Sequence, residues 1–226
     1  VTVASERIIW RGDREAIVKQ ASALAPGALA LFDSDAPPLV PFLKRQIDVF
    51  QACALFALAQ QHNKIDAAML EVGTAWGYSA AVIARAAPLA RILTLNPKMH
   101  EVIKARDHLK PFRAQVTVLC DTSDDLWQAH VPGEIFDFVF IDGDHRPPAL
   151  YQDMRWFTEL KPGGLILFHD YAPASSPRPC PAVVETLDQI RDTQIKRDYD
   201  VQVIADDGVG MVGWIRRPGD RYQYQE

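Results

Sequence analysis

LEVGTAWGYSAAVIA, Leu70 to Ala84, reads as a buried strand, a tight turn and a helix in immediate succession. The strand ends at Val72. Gly73 begins the turn, Gly77 lets the backbone approach a ligand closely, and Ser79 opens the helix. Downstream the pattern repeats. Short apolar runs (AMLEV around 67–72, RILTL 91–95, QVTVL 115–119, FDFVFI 136–141, LILFH 165–169) alternate with the helical segments SAAVIARAA, MHEVIKARDHL, SDDLWQAH and PALYQDMRWFTEL. Strands alternating with helices predict a parallel sheet with helices on both faces. KPGG at 161–164 reads as a tight turn that stops the last of these helices. The end, DVQVIADDGVGMVGWIRR, reads as two strands around Asp206, Asp207 and Gly208, an antiparallel hairpin.

Upstream of the quoted stretch the chain looks helical. Asp13 to Leu24 has apolar residues at helical spacing, with Asp13 as N-cap. A loop rich in Pro and Asp runs from Pro26 to Pro41, and Phe42 to Gln61 has the wide apolar face of a packed helix. The expected organisation is an N-terminal helical segment over 1–66, packing on or capping the site, an α/β domain over 67–217, and a polar tail over 218–226. With 226 residues, 48% of them hydrophobic, one large domain is expected. No run approaches the length of a membrane span, and the first residues lack the form of a signal peptide. The three cysteines, Cys53, Cys120 and Cys180, read as reduced thiols of a cytoplasmic protein. A net charge of −5 argues against nucleic acid as the main partner.

The turn has the spacing Glu-x-Gly-x-x-x-Gly, which differs from the Gly-x-Gly-x-x-Gly of dinucleotide-binding domains. A carboxylate at Glu71 suits a ligand with a positive amino group better than a pyrophosphate; S-adenosylmethionine carries such an amino group and a sulfonium. The stretch resembles the first motif of the catechol and caffeoyl-CoA class of S-adenosylmethionine-dependent O-methyltransferases. ARILTLNPKMHEV, FDFVFIDGDH and LKPGGLILFHDY resemble later motifs of that class. IDGDH and FHDY are closer still to a bacterial branch of macrocin O-methyltransferase-like and cephalosporin-hydroxylase-like proteins. The resemblance covers about Leu70 to Tyr171. It implies a Rossmann-like, seven-stranded, mostly parallel sheet whose last strand is reversed.

It also implies roles. Gly73, Gly77 and Ser79 would hold the methionine end of the cofactor, with Glu71 near its amino group and Tyr78, like Trp76, offering an aromatic face for stacking or packing. Asn96 ends the second strand, where the family usually has an acid that grips both ribose hydroxyls; an amide brings no charge, so a weaker grip is expected. Ser123 and Asp124 would lie at the adenine edge, or serve as helix cap and first-turn acid.

Asp142 follows FVFI, and His169 and Asp170 follow LILF, so all three are expected in one crevice at the strand ends, with Asp144 and His145 close by. In the resembled enzymes two Asp and an Asn at these places bind a divalent cation. Here the ligand set would be Asp142, His169 and Asp170, for magnesium through oxygen or manganese through a mixed set. His145 stands where those enzymes carry a catalytic Lys and reads as the general base, with Asp142 also serving the chemistry. The expected reaction is O-methylation of a small hydroxylated acceptor, and the resemblance to enzymes that often dimerise points to a homodimer. The alternatives are a binding module that has lost turnover, suggested by Asn96 and His169, and an iron oxygenase with Asp142, His145 and His169 as ligands. His62, His100, His108 and His130 read as solvated.

Overall fold

The computed structural model describes residues 14–27, 47, 49–133, 135–172, 179–192, 199–205 and 210–217. Among the described residues seven strands form one sheet in the order β3-β2-β1-β4-β5-β7-β6. They are β1 (Ala68–Val72), β2 (Arg91–Leu95), β3 (Val116–Leu119), β4 (Phe136–Ile141), β5 (Leu160–Tyr171), β6 (Tyr199–Ala205) and β7 (Gly210–Arg216). The first five run parallel, and β7 lies antiparallel to both β5 and β6. The seven strands and the reversed end are those expected from the sequence. The hairpin turn at 206–208, most of the Pro- and Asp-rich loop, the start of the helix from Phe42 and the tail lie outside the described residues.

The helices are α1 (Arg14–Leu24), α2 (Val49–Gln61), α3 (Tyr78–Ala86), α4 (Met99–His108), α5 (Ser123–Ala129), α6 (Pro147–Asp153) and α7 (Pro181–Asp192). Successive strand side chains face opposite ways, so the sheet feeds two cores. Met69, Ile92, Phe138, Phe140 and Leu167 pack with α1 to α4 on one face. Leu70, Leu95, Val139, Ile141 and Trp214 pack with α6 and α7 on the other.

Two local readings are corrected. PALYQDMRWFTEL is not one helix: α6 ends at Asp153, and Met154–Glu159 tightens into a 3-10 turn. That turn buries Trp156 and Phe157 while handing the chain to β5 at Leu160. KPGG lies inside β5, as the irregularity between the pairs Phe136–Leu160 and Phe138–Leu165. It is a bulge, and Gly164 fits there because a Cβ would stand 2.8 Å from the Lys161 carbonyl.

Two histidines expected in solvent are packed. His130 lies between Trp127 and Trp156, at ring distances of 4.4 and 5.3 Å. His62 rests on Phe138, and burial lowers its pKa to about 4.

Candidate active site

β2 and β3 lie on one side of β1 and β4 on the other, so the chain reverses its direction of travel across the sheet between β1 and β4. At such a switch point the loops diverge and leave a crevice at the carboxyl ends of the strands. A cleft of about 590 Å³ opens there. Its walls come from the β1 exit (Val72, Gly73, Ala75), the β2 exit (Leu95 to Lys98, with Glu101), the start of α5 (Thr122, Ser123), the β4 exit (Asp142 to Asp144) and α6 (Ala149, Gln152, Asp153).

The glycine turn is fastened to its neighbours through the backbone. The Gly73 and Thr74 amides donate to the Leu95 carbonyl at 3.0 and 3.1 Å, and the Asp142 amide donates to the Val72 carbonyl at 2.8 Å. Gly73 has φ +104°, and a Cβ on it would stand 2.0 Å from the Asp142 carbonyl oxygen. Glycine at 73 is therefore required by the close approach of the β1 and β4 exits, quite apart from any ligand.

Glu71 is fully buried beneath this turn. Its Oε2 accepts from the Thr94 hydroxyl, whereas Oε1 is buried without a hydrogen-bond partner. Burial raises its pKa to about 7, against the pull of the Ser79 and Thr94 hydroxyls. Tyr78 and Ser79 are also buried, in the first turn of α3. Gly77 packs toward Leu109. These four residues support the turn from behind, and the cleft wall itself is made by Gly73, Ala75, Asn96, Ser123 and Asp142. Asp124 is paired with Arg155 at 2.7 Å and is not among the wall residues.

Beside the cleft, Asp142, His169, Asp170 and His145 form one network, of which Asp142 is also a wall residue. His169 Nδ1 lies 3.1 Å from a carboxylate oxygen of each of Asp142 and Asp170. His145 Nε2 lies 2.8 Å from Asp170 Oδ2. Behind the network, His169 Nε2 is 3.0 Å from Gln51 Oε1 of α2. Gln51 can only accept there, which places a proton on Nε2. Burial opposes charge on His169, but the two carboxylates outweigh it and raise the ring's pKa to about 10. Burial also opposes charge on Asp170, but the two rings hold its carboxyl well below the usual range. The hydrogen bond to Asp170 raises the pKa of His145 despite partial burial.

Donor atoms of Asp142, His169 and Asp170 all lie within 4.8 Å of one another, a spacing that fits one cation. Nδ1 of His169 is buried and makes no geometrically sound hydrogen bond, so a cation would take its lone pair by displacing the proton that the two carboxylates favour there.

Sequence reasoning missed Glu101, Gln51 and Asp153. Asp153 is 2% exposed, and burial raises its carboxyl to about 7. Its signal was a lone acid among the apolar residues of α6. Gln51 had none, because its contact spans 118 positions.

Residues 70–171 match a family model described as a methyltransferase domain. No curated protein matches the chain. Among solved structures, cofactor-bound Rv0187 from MTB is 24% identical, with a TM-score of 0.63 over 87% of this chain and 91% of that one. The O-methyltransferase TomG from Streptomyces achromogenes, involved in tomaymycin synthesis and solved with SAM, is 19% identical (TM-score 0.59, 93% and 92% covered). An O-methyltransferase from Bacillus cereus, solved with SAH, is 19% identical (TM-score 0.60, 94% and 94% covered). At these identities the likeness establishes the Rossmann-like methyltransferase fold.

Proposed function

We propose that this chain, with its methyltransferase domain over residues 70–171, is an S-adenosylmethionine-dependent O-methyltransferase acting on a small hydroxylated acceptor. One observation carries the reading: Asp142 belongs both to the cleft wall and to the acid–histidine network. A ligand lying in the cleft from Gly73 to Asp142 therefore ends beside groups able to manage a proton.

The cleft suits the methyl donor. The glycine turn, which lets a ligand approach the backbone closely, apolar Val72 and Leu95, and carboxylates at Glu101 and Asp142 match a ligand with an amino-acid end, a flat base and a positive sulfonium. Bound there, S-adenosylmethionine would supply an activated methyl group to the acceptor oxygen, the electron pair of the S–CH₃ bond staying on sulfur as the O–CH₃ bond forms. The chain's own residues must align the acceptor oxygen and take its proton. His145 is suited to the second task. With its Nε2 proton donated to Asp170, Nδ1 keeps a free lone pair, and Asp170 stabilises the imidazolium that forms. Asp142, His169 and Asp170 would hold a divalent cation, which would orient the acceptor oxygen and acidify its hydroxyl.

The test is transfer of a labelled methyl group from S-adenosylmethionine to a panel of sugars, polyols and phenols, with magnesium or manganese and after chelation. Label is expected on an oxygen of at least one acceptor. Asp142→Asn should lower kcat/KM by about a hundredfold or more, and chelation should lower the rate. An unaltered rate in D142N would remove the site from the account; a rate indifferent to chelation would remove the cation.

A further inference from the structure

Asn96 ends β2, where the adenosyl ribose would lie, and it brings no charge. Its side chain is buried, lines the cleft, and donates from Nδ2 to Glu101 Oε2 at 2.8 Å. Glu101 stands in the first turn of α4 and lines the same cleft. Its side chain is 17% exposed, and Oε1 is 3.4 Å from the Lys98 ammonium. The carboxylate absent from position 96 is thus present five residues later on the same wall, held by the amide that stands in its place.

The chemistry of a vicinal diol decides what this pair can do. Two neighbouring hydroxyls offer two donors, and a carboxylate accepts both where an amide offers one carbonyl oxygen. Asn96 directs one of its two Nδ2 protons to Glu101 Oε2, and this fixes the carboxylate's orientation. A first-turn acid serving only the helix dipole needs neither the buried amide nor a seat on the cleft wall.

We propose that Glu101 is the residue that recognises the ribose diol of the adenosyl ligand and that Asn96 is its positioning residue. The proposal rests on the methyl-donor reading above. Asn96 and Glu101 together replace one acid at the strand end, so a carboxylate returned to position 96 should substitute for one removed from 101.

The experiment is calorimetric titration with S-adenosylhomocysteine and its 2′-deoxyribose analogue. Wild type should prefer the intact ribose about ten- to a hundredfold. E101Q should lose a similar factor for S-adenosylhomocysteine and bind the two ligands alike. N96D/E101Q should regain the preference, an outcome that a purely structural role for Glu101 would not produce. If E101Q fails to fold, E101D keeps the charge at the helix start and shortens the arm, and it too should lose the preference. Retention of the full preference by E101Q or E101D would overturn the assignment of Glu101 alone. Failure of wild type to bind S-adenosylhomocysteine would instead overturn the methyl-donor reading, and this proposal with it.

Discussion

Acids carry much of the site's chemistry. Asp142 and Asp170 were legible in the sequence because each directly ends an apolar strand run, and strand ends are where ligands meet a parallel sheet. Glu101 was not, since its significance lies in contacts that no local pattern encodes, and Asp153 left only the mark of a lone acid in α6. Asp153 also gives a measurable consequence. Its folded pKa, about 7, lies above its ordinary 3.8 because burial disfavours the charge. Between those values the folded chain holds a proton that the unfolded chain has released, so this group makes stability fall as pH rises, by up to about 1.4 kcal/mol per pH unit. Above about pH 7 both states are ionised and the loss is complete. Asn cannot ionise. In urea unfolding, the stability of D153N relative to wild type is expected to rise by about 2 kcal/mol between pH 5 and pH 8. Parallel curves at the two pH values would mean that Asp153 ionises as freely in the fold as in water.

The elements were read well where period and punctuation agreed, and poorly where tertiary packing chose between options. β1, β2 and β4 are short apolar runs bounded by breakers, and their bounds fall close to the expected ones. KPGG has the chemistry of a turn and serves as a bulge, because β5 begins early to pair Leu160 with Phe136. SDD was read as a possible helix start, and the structure assigns the cap one residue earlier. Thr122 accepts from the Asp125 amide at 3.1 Å and donates to the Asp125 carboxylate at 2.5 Å. Thr122→Ala is expected to cost about 1 kcal/mol through the lost cap, seen as a lower denaturation midpoint with an unchanged slope. No change in midpoint would mean that the Arg155–Asp124 pair and the packing of α5 hold the helix start without it.

At the scale of the molecule, the strand order turns a local motif into a site. β1 and β4 are adjacent only because the chain returns across the sheet, and that adjacency forces Gly73 against the Asp142 carbonyl. It also brings the glycine turn, the β2 exit and Asp142 of the acid–histidine network to one cleft. The parallel arrangement was legible from alternating strands and helices, and the reversed end from the terminal hairpin pattern. The reach of α2 into the site through Gln51 was not, as helix docking depends on surfaces rather than on period. No described helix is long and apolar enough to cross a membrane. The most direct measurement is a crystal structure grown with S-adenosylhomocysteine. Density is expected with the amino-acid end against residues 73–75 and the ribose hydroxyls at Glu101. A ligand bound elsewhere, or a cleft closed by side chains with the ligand present in excess, would contradict it.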